Sequence, residues 1–267
     1  HAVGASMVAQ AIAAGRKVID FSADYRLKDV ATYAAYYQPH PAPELVPQAV
    51  YGLPELHREA VAATQLCAVP GCYPTGAILA LAPVCAAGLI EPRRIIVDSK
   101  SGTSGAGKTL TTTTHHAECN ESVSAYKVAC HRHEPEMVQE LSALGEPVSL
   151  TFTPHLIPMT RGILTTAYGT LKHHATAAEL VAVYRDFYAG ERFVQVLEPG
   201  KLPATKHVSG SNNCHIGLVV DEDAGQLIAI SAIDNLVKGL AGAAVQCMNL
   251  MCGYEESTGL QQYPLWP

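Results

Sequence analysis

Pro70-Gly-Cys-Tyr-Pro-Thr75, running straight into the apolar stretch 75–87, constrains this chain more than any other segment. Proline is pre-shaped for the first turn of a helix, where its missing N–H costs nothing. Pro74 therefore marks a helix start, and the run behind it predicts a helix over 74–87, which Pro83 should kink or shorten. Cys72 then stands at the N-terminal end, where the helix dipole and unpaired N–H groups favour thiolate, the nucleophilic form of cysteine. The competing reading is a buried structural cysteine, the commoner fate of a thiol outside disulfides.

Periodicity around this helix gives two kinds of architecture. Helix Ala5–Gly15 leads into the short β-branched run Lys17–Ser22, a helix-then-strand order that belongs to an α/β nucleotide-binding layer. Leu27–Glu59, rich in Tyr, Pro and Ala, reads as loops and short helices, and Gln65–Val69 as a strand entering the Cys72 turn. Further on, strands are expected at Arg94–Ser99, Val148–Pro154, Gly162–Leu171, Phe193–Glu198, Ile216–Val220 and Gln226–Ile233. Asp221–Gly225 joins the last two as a hairpin-like turn. Helices are expected over Glu134–Leu144 and Ala175–Tyr188, and a long, almost uncharged one over Asp234–Gly253. The order predicts an α+β domain, an antiparallel sheet with helices on one face, beside an α/β remnant.

At 267 residues the chain can build one large or two smaller cores. Its formal net charge of −6, with no concentration of Lys and Arg, argues against nucleic acid or an anionic membrane as partner. It contains no uninterrupted apolar run of about 18 residues, and no secretory signal pattern opens it. The eight cysteines form no CxxC pair and lie scattered through apolar segments, so a reducing, cytoplasmic setting is expected rather than a disulfide framework.

Three further constellations could carry chemistry. In Tyr126-Lys-Val-Ala-Cys-His131-Arg-His133-Glu-Pro-Glu136, two histidines one residue apart just before a helix could supply a general base for Cys72. A solvated polar loop and a metal site compete with that reading, but no partner spacing supports metal, and none is expected. The glycine-rich stretch Ser101-Gly-Thr-Ser-Gly-Ala-Gly-Lys108 matches the letters of a phosphate-binding loop, GxxxxGK[ST], through Gly102, Gly107, Lys108 and Thr109. Such loops need a helix behind them, and the threonine-rich run 109–114 is a poor helix former, so an anion-binding loop facing Cys72 is expected instead of an NTPase. Arg161, beside Gly162 at a strand start, could clamp a carboxylate or phosphate bidentately or lie idle on the surface.

Taken together, PGCYPT, SGTSGAGK, AYKVACHRHEPE, TPHLIPMTRGI, LPATKHVSGSNNC and AIDNLVKGLAGAAVQ resemble, in this order and across the whole chain, N-acetyl-gamma-glutamyl-phosphate reductases, relatives of aspartate-semialdehyde and glyceraldehyde-phosphate dehydrogenases. The resemblance implies α/β plus α+β architecture: part of a Rossmann-like NADP-binding domain over 1–71, a mixed-sheet catalytic and dimerisation domain over 72–233, and a C-terminal helix over 234–267 returning to the first domain. It implies NADPH-dependent reduction of a small-molecule acyl phosphate through a cysteine thioester. Cys72 would be the nucleophile and His133 the proton relay, with His131 in reserve. Ser101, Ser104, Glu118, Tyr126, His155 and Arg161 would line the substrate site, while Gly105 and Asn235 would meet the cofactor. A homodimer or homotetramer is the expected assembly. The family's N-terminal glycine-rich dinucleotide fingerprint is missing from the chain, and His1-Ala-Val-Gly-Ala-Ser looks like a later strand-to-helix loop, so a truncated enzyme is expected. The alternatives are an aspartate-semialdehyde dehydrogenase-like enzyme, a cysteine hydrolase or acyltransferase that needs no nicotinamide, and an inactive oligomerisation fragment.

Overall fold

In the computed structural model, which describes residues 4–107 and 109–265, the chain divides into two compact units. His1–Val3 of the opening loop and Lys108 of the glycine-rich stretch lie outside the described residues.

The first unit comprises His1–Gly71 and Leu240–Gln261. It contains α1 (Ala5–Ala13), β1 (Val18–Asp20), α2 (Val30–Tyr36), β2 (Ala49–Tyr51), α3 (Pro54–Ala63), β3 (Leu66–Ala68) and the C-terminal helix Gly242–Cys252. The strands form a parallel sheet in the order β1-β3-β2. Side chains alternate across it: Leu66 and Ala68 pack with Ala5 and Val8 of α1, whereas Cys67 packs with Val61 of α3 and with Cys247 and Met251 of the C-terminal helix. Helices cover both faces, as a parallel sheet requires. Strand β2 lies inside the stretch expected to be loops and short helices; three residues are too few to show a period.

The second unit, Cys72–Gly239 with Gln262–Pro267, is built on a seven-stranded sheet. Its strands are β4 (Ile95–Ser101), β5 (Ser124–Ala125), β6 (Leu150–Leu156), β7 (Ile163–Thr170), β8 (Val194–Val196), β9 (Cys214–Asp221) and β10 (Gln226–Ile233), in the order β5-β6-β4-β7-β10-β9-β8. The sheet is mixed, not purely antiparallel: β4 runs parallel to β6 and β8 to β9. The connection from β4 to β6 is long enough for a parallel crossover and carries the short α5 (His116–Cys119) and α6 (Glu134–Ser142). α4 (Cys72–Ala86) packs against both α6 and α7 (Ala177–Phe187) on one face of the sheet. A Thr176–Glu179 capping box starts α7.

α4 is apolar on every side and accordingly buried from Tyr73 to Cys85. Pro83 does not shorten it, contrary to expectation: the helix runs three residues beyond. A proline deprives the carbonyl four residues earlier, that of Leu79, of its helical N–H. The Tyr188 hydroxyl donates to that oxygen at 2.6 Å, and the Tyr184 hydroxyl donates to Ala80 O at 2.6 Å. Tyr188, at the end of the α7 segment, thus replaces the missing backbone bond, while Tyr184 adds a bond at the next carbonyl.

The helix expected over 234–253 also begins later. Asp234 Oδ1 accepts the N–H groups of Leu236 and Val237, which holds 234–236 as a cap. A π-turn over Val237–Ala241 follows, and α-helix proper (α8) starts at Gly242.

Candidate active site

Cys72 is the first residue of α4 and is half-buried, reachable from outside. The next residue, Tyr73, points into the unit and gathers the neighbouring rings. Its ring meets His131 edge-on at 5.6 Å between centroids, His133 at 6.0 Å and Phe152 at 5.3 Å. Its hydroxyl is 2.9 Å from the Tyr126 hydroxyl and hydrogen-bonds the Ser101 side chain. Burial pushes the Tyr73 phenol well up, and pushes Tyr126 up to about 12, the Cys72 sulfur adding to both shifts electrostatically. Both hydroxyls therefore stay protonated at neutral pH and act as neutral hydrogen-bonding groups.

The two histidines differ in kind. His131 is 6% exposed and walled in by Tyr73, Tyr126 and Phe152. Burial, helped by the positive Lys127 and Arg132, holds its pKa down to about 4, so the ring is neutral at pH 7. Its Nδ1 accepts the His133 backbone N–H at 3.1 Å, which leaves the ring proton on Nε2. His133 stands at the N-cap of α6, where Pro135 and the acidic Glu134 and Glu136 occupy a favourable first turn. The segment joining Tyr126 to His131 is wound tightly: Lys127 and Ala129 both adopt left-handed backbone, at φ 46° and 53°. Tyr126 N–H and Ala129 N–H nevertheless reach Pro154 O and Phe152 O, which fixes the segment to the β6 edge.

A second cluster joins the glycine-rich stretch to 159–162 and to the end of β10. The N–H groups of Gly102, Thr103 and Ser104 donate to the carbonyls of Gly162, Met159 and Thr160, and Gly107 N–H donates to Ser104 O. A Cβ on Gly102 would stand 2.7 Å from the Thr160 backbone, so only glycine permits this approach. The expectation of an anion-binding backbone cradle is therefore corrected: these four N–H groups are already used, and no α-helix follows directly, only a short 3₁₀ turn at Thr112–Thr114. The phosphate-loop match is one of letters alone. Asn235, 1% exposed, locks the cluster: its Oδ1 accepts Gly162 N–H at 2.7 Å and its Nδ2 donates to Ser104 Oγ at 3.0 Å. A Cβ on Gly105 would lie 3.5 Å from that Nδ2 and 3.7 Å from Ser101 Oγ. Beside it, the fully buried Asp234 accepts Gly210 N–H, and Arg161 lies 3.5 Å away with its side chain 44% exposed. Arg161 also lines an open cavity of about 270 Å³ with Met159, Thr205, Lys206, Ser209 and Leu265.

Two expected site residues lie elsewhere. Along β6, Phe152 faces the Cys72 side, so His155, three residues on, points to the opposite face of the sheet. There its Nδ1 is 3.2 Å from Asp98 Oδ1, which also pairs with Lys100 at 2.8 Å. Only the His155 carbonyl turns towards Tyr73, at 3.5 Å. Glu118, in the exposed α5, makes no hydrogen bond or ring contact with the Cys72 cluster among the described residues. The structure instead adds Tyr73, Phe152, Asp234 and Gly239, which no pattern singled out. Tyr73 could have been found from its place beside Cys72, and Asp234 from its place beside Asn235. Among the described residues, no group of three or more His, Cys, Asp or Glu is arranged to hold a metal ion.

Residues 72–235 match the family described as "Semialdehyde dehydrogenase, dimerisation domain", and residues 1–64 the one described as "Semialdehyde dehydrogenase, NAD binding domain". The chain is 53% identical over 269 residues to the N-acetyl-gamma-glutamyl-phosphate reductase of Geobacter sp. (strain M21), covering 100% of this chain and 78% of that one. It is 54% identical over 255 residues to the N-acetyl-gamma-glutamyl-phosphate reductase of Moorella thermoacetica, covering 95% and 74%. Among solved structures, aspartate semialdehyde dehydrogenase II from Vibrio cholerae superimposes with a TM-score of 0.69 at 18% identity, covering 94% of this chain and 77% of that one. The NADP complex of aspartate semialdehyde dehydrogenase from Candida albicans gives 0.65 at 12%, covering 94% and 75%. At such identities the likeness is one of fold.

Proposed function

The chain belongs to the semialdehyde dehydrogenase family and, within it, to the N-acetyl-gamma-glutamyl-phosphate reductases, and from that we propose that it reduces N-acetyl-gamma-glutamyl phosphate to N-acetylglutamate semialdehyde with NADPH, a step of arginine biosynthesis. The observation that carries the reading is the packing of Tyr73, the residue after Cys72, against both His131 and His133 at the mouth of α4.

In this reading the Cys72 thiolate attacks the acyl carbon, the bond from that carbon to the phosphate oxygen breaks, and a thioester forms as phosphate leaves. NADPH, when bound, supplies the hydride that reduces the thioester. Hydride addition leaves an oxyanion on the former acyl carbon; it takes a proton from the relay histidine, returns it to the same ring as the C–S bond breaks, and aldehyde and thiolate separate. His133 moves that proton, because the Nδ1 of His131 is occupied by a backbone N–H and its Nε2 carries hydrogen. His131 is then a neutral hydrogen-bond donor to the reacting oxygen, with the Tyr126 ring packed beside it. Arg161 reads an anionic group of the substrate, backed by the Asp234 carboxylate, with Ser101 and Ser104 on the adjoining glycine-rich segment.

The residues present fit the nicotinamide end of the cofactor. Asn235 spends one amide N–H on Ser104, its second is not engaged by any described residue, and Gly105 leaves room beside it. No helix among the described residues is long and apolar enough to cross a membrane, which suits a cytoplasmic enzyme. The sheet face carrying Ile96, Asp98, Lys100 and His155 has none of the helices α4, α6 and α7 over it, and it is the surface proposed to pair copies into a homodimer or homotetramer.

Cys72→Ser tests the chemistry. Incubated with the acyl phosphate, the native protein should gain an N-acetylglutamyl adduct on the peptide holding Cys72, and the variant should neither acquire it nor reduce substrate. A Ser variant with native turnover sinks the proposed mechanism.

A further inference from the structure

Gly239 lies in the π-turn before α8, and its backbone runs directly against the residue proposed as nucleophile. A Cβ built there would stand 2.9 Å from Cys72 Cβ, 3.3 Å from Cys72 Cα and 3.4 Å from Ile233 Cδ1. Separations under about 3 Å lie inside van der Waals contact, so one partner must move. Cys72 Cβ is rooted in the main chain and cannot rotate away as a flexible tip could.

The turn is held too firmly to give way. Gly239 N–H donates to Asp234 O at 3.0 Å, closing the turn upon itself. The Asp234 carboxylate, fully buried, takes three backbone N–H groups, those of Leu236, Val237 and Gly210. Lys238 is fully buried, with its ammonium 5.7 Å from the centre of the Phe193 ring. By contrast, Cys72 is the terminal residue of α4, where helices are softest. A side chain at 239 would therefore be accommodated by displacing the start of α4.

We propose that Gly239 is a positioning residue for Cys72: the missing side chain lets a braced turn press on the Cys72 Cβ and so set the direction of the sulfur. π-turns concentrate at functional sites, and here the segment 234–239, which enters the π-turn, runs from the carboxylate beside Arg161 to the Cys72 Cβ. One braced segment thus fixes the nucleophile relative to the proposed anion-reading arginine. This rests on Cys72 being the nucleophile.

The test compares Gly239→Ala with Gly76→Ala, a packing glycine further along α4 whose Cβ would meet the side chains of Ser231, at 3.1 Å, Thr165 and Ile233. In Gly239→Ala, kcat and the peptide-resolved rate of Cys72 alkylation by iodoacetamide should fall about ten- to a hundredfold, with KM within about twofold, as displacement of a reacting atom predicts. Gly76→Ala should lower Tm and leave the pH profile of Cys72 alkylation where it was. A double-mutant cycle reads the contact without any turnover: the Tm penalty of Gly239→Ala should shrink in a Cys72→Gly background, where the opposing Cβ is gone. An equal penalty in both backgrounds, a double variant that fails to fold although Cys72→Gly folds, or native kcat and alkylation in Gly239→Ala would each overturn the proposal. Because alkylation and the cycle report on the thiol and its packing, they stand even if Cys72→Ser proves active; that result would remove the nucleophile and not the contact.

Discussion

Lowering the pH should destabilise this protein through His131 above all. His131 is enclosed by Tyr73, Tyr126 and Phe152, and burial together with Lys127 and Arg132 holds its pKa to about 4. In the unfolded chain the same imidazole titrates near 6.5. Above that value neither state takes up the proton, and the fold keeps its full stability. As pH falls from about 6.5 towards 4, the unfolded state binds a proton that the folded state refuses, so stability drops; below about 4 both states are protonated and the loss levels off. The gap corresponds to about 3 kcal/mol in all, of which about 2 kcal/mol is lost by pH 5. The assay is urea unfolding followed by far-UV circular dichroism at pH 8, 6.5 and 5, on the native protein and on His131→Asn. The asparagine can accept the His133 N–H but does not titrate. His215, also held down by burial and by His207, and Glu134, held up by burial, titrate in both proteins and cancel in the difference. The native protein should lose about 2 kcal/mol more than the variant between pH 8 and 5. Parallel pH profiles would refute the burial argument for His131, and with it the ring's role as a neutral donor at the reacting oxygen.

Two further expectations concern the scaffold. Tyr188→Phe strips the Leu79 carbonyl of its donor inside a buried helix and should cost about 1–3 kcal/mol by chemical denaturation; in a Pro83→Ala background, where a backbone N–H returns, that penalty should fall below about 1 kcal/mol. Ala129→Gly, at a left-handed position, should leave stability unchanged or raise it by up to about 1 kcal/mol, whereas Ala129→Val should cost about 1–2 kcal/mol; the reverse order would show that the turn carries no backbone strain.

What was legible in the residues and what was not divides along physical lines. Short-range signals worked: Pro74 announced α4, Pro135 announced α6, and the apolar β-branched run over 226–233 gave β10 to the residue. Where a long-range partner decided the outcome, local reasoning failed. Pro83 reads as a kink or an early stop only while Tyr188, a hundred-odd positions away, is out of view. Asp234 reads as the first residue of a helix until Gly210 and Arg161 claim its carboxylate. The glycines at 102 and 105 read as a phosphate cradle because glycine is ambiguous: it marks any place where backbone must come close, and a neighbouring chain segment satisfies that need as well as an anion does. The site residues divide the same way. Residue chemistry named Cys72, His131 and His133, and the family resemblance named Tyr126 and Asn235; the fold gathers all five with Tyr73 or around the 159–162 loop. The resemblance also named His155, whose ring lies on the opposite face of the sheet. A strand turns successive side chains to opposite sides, so membership of a motif fixes where a residue's backbone runs and leaves to the register which of two surfaces it serves.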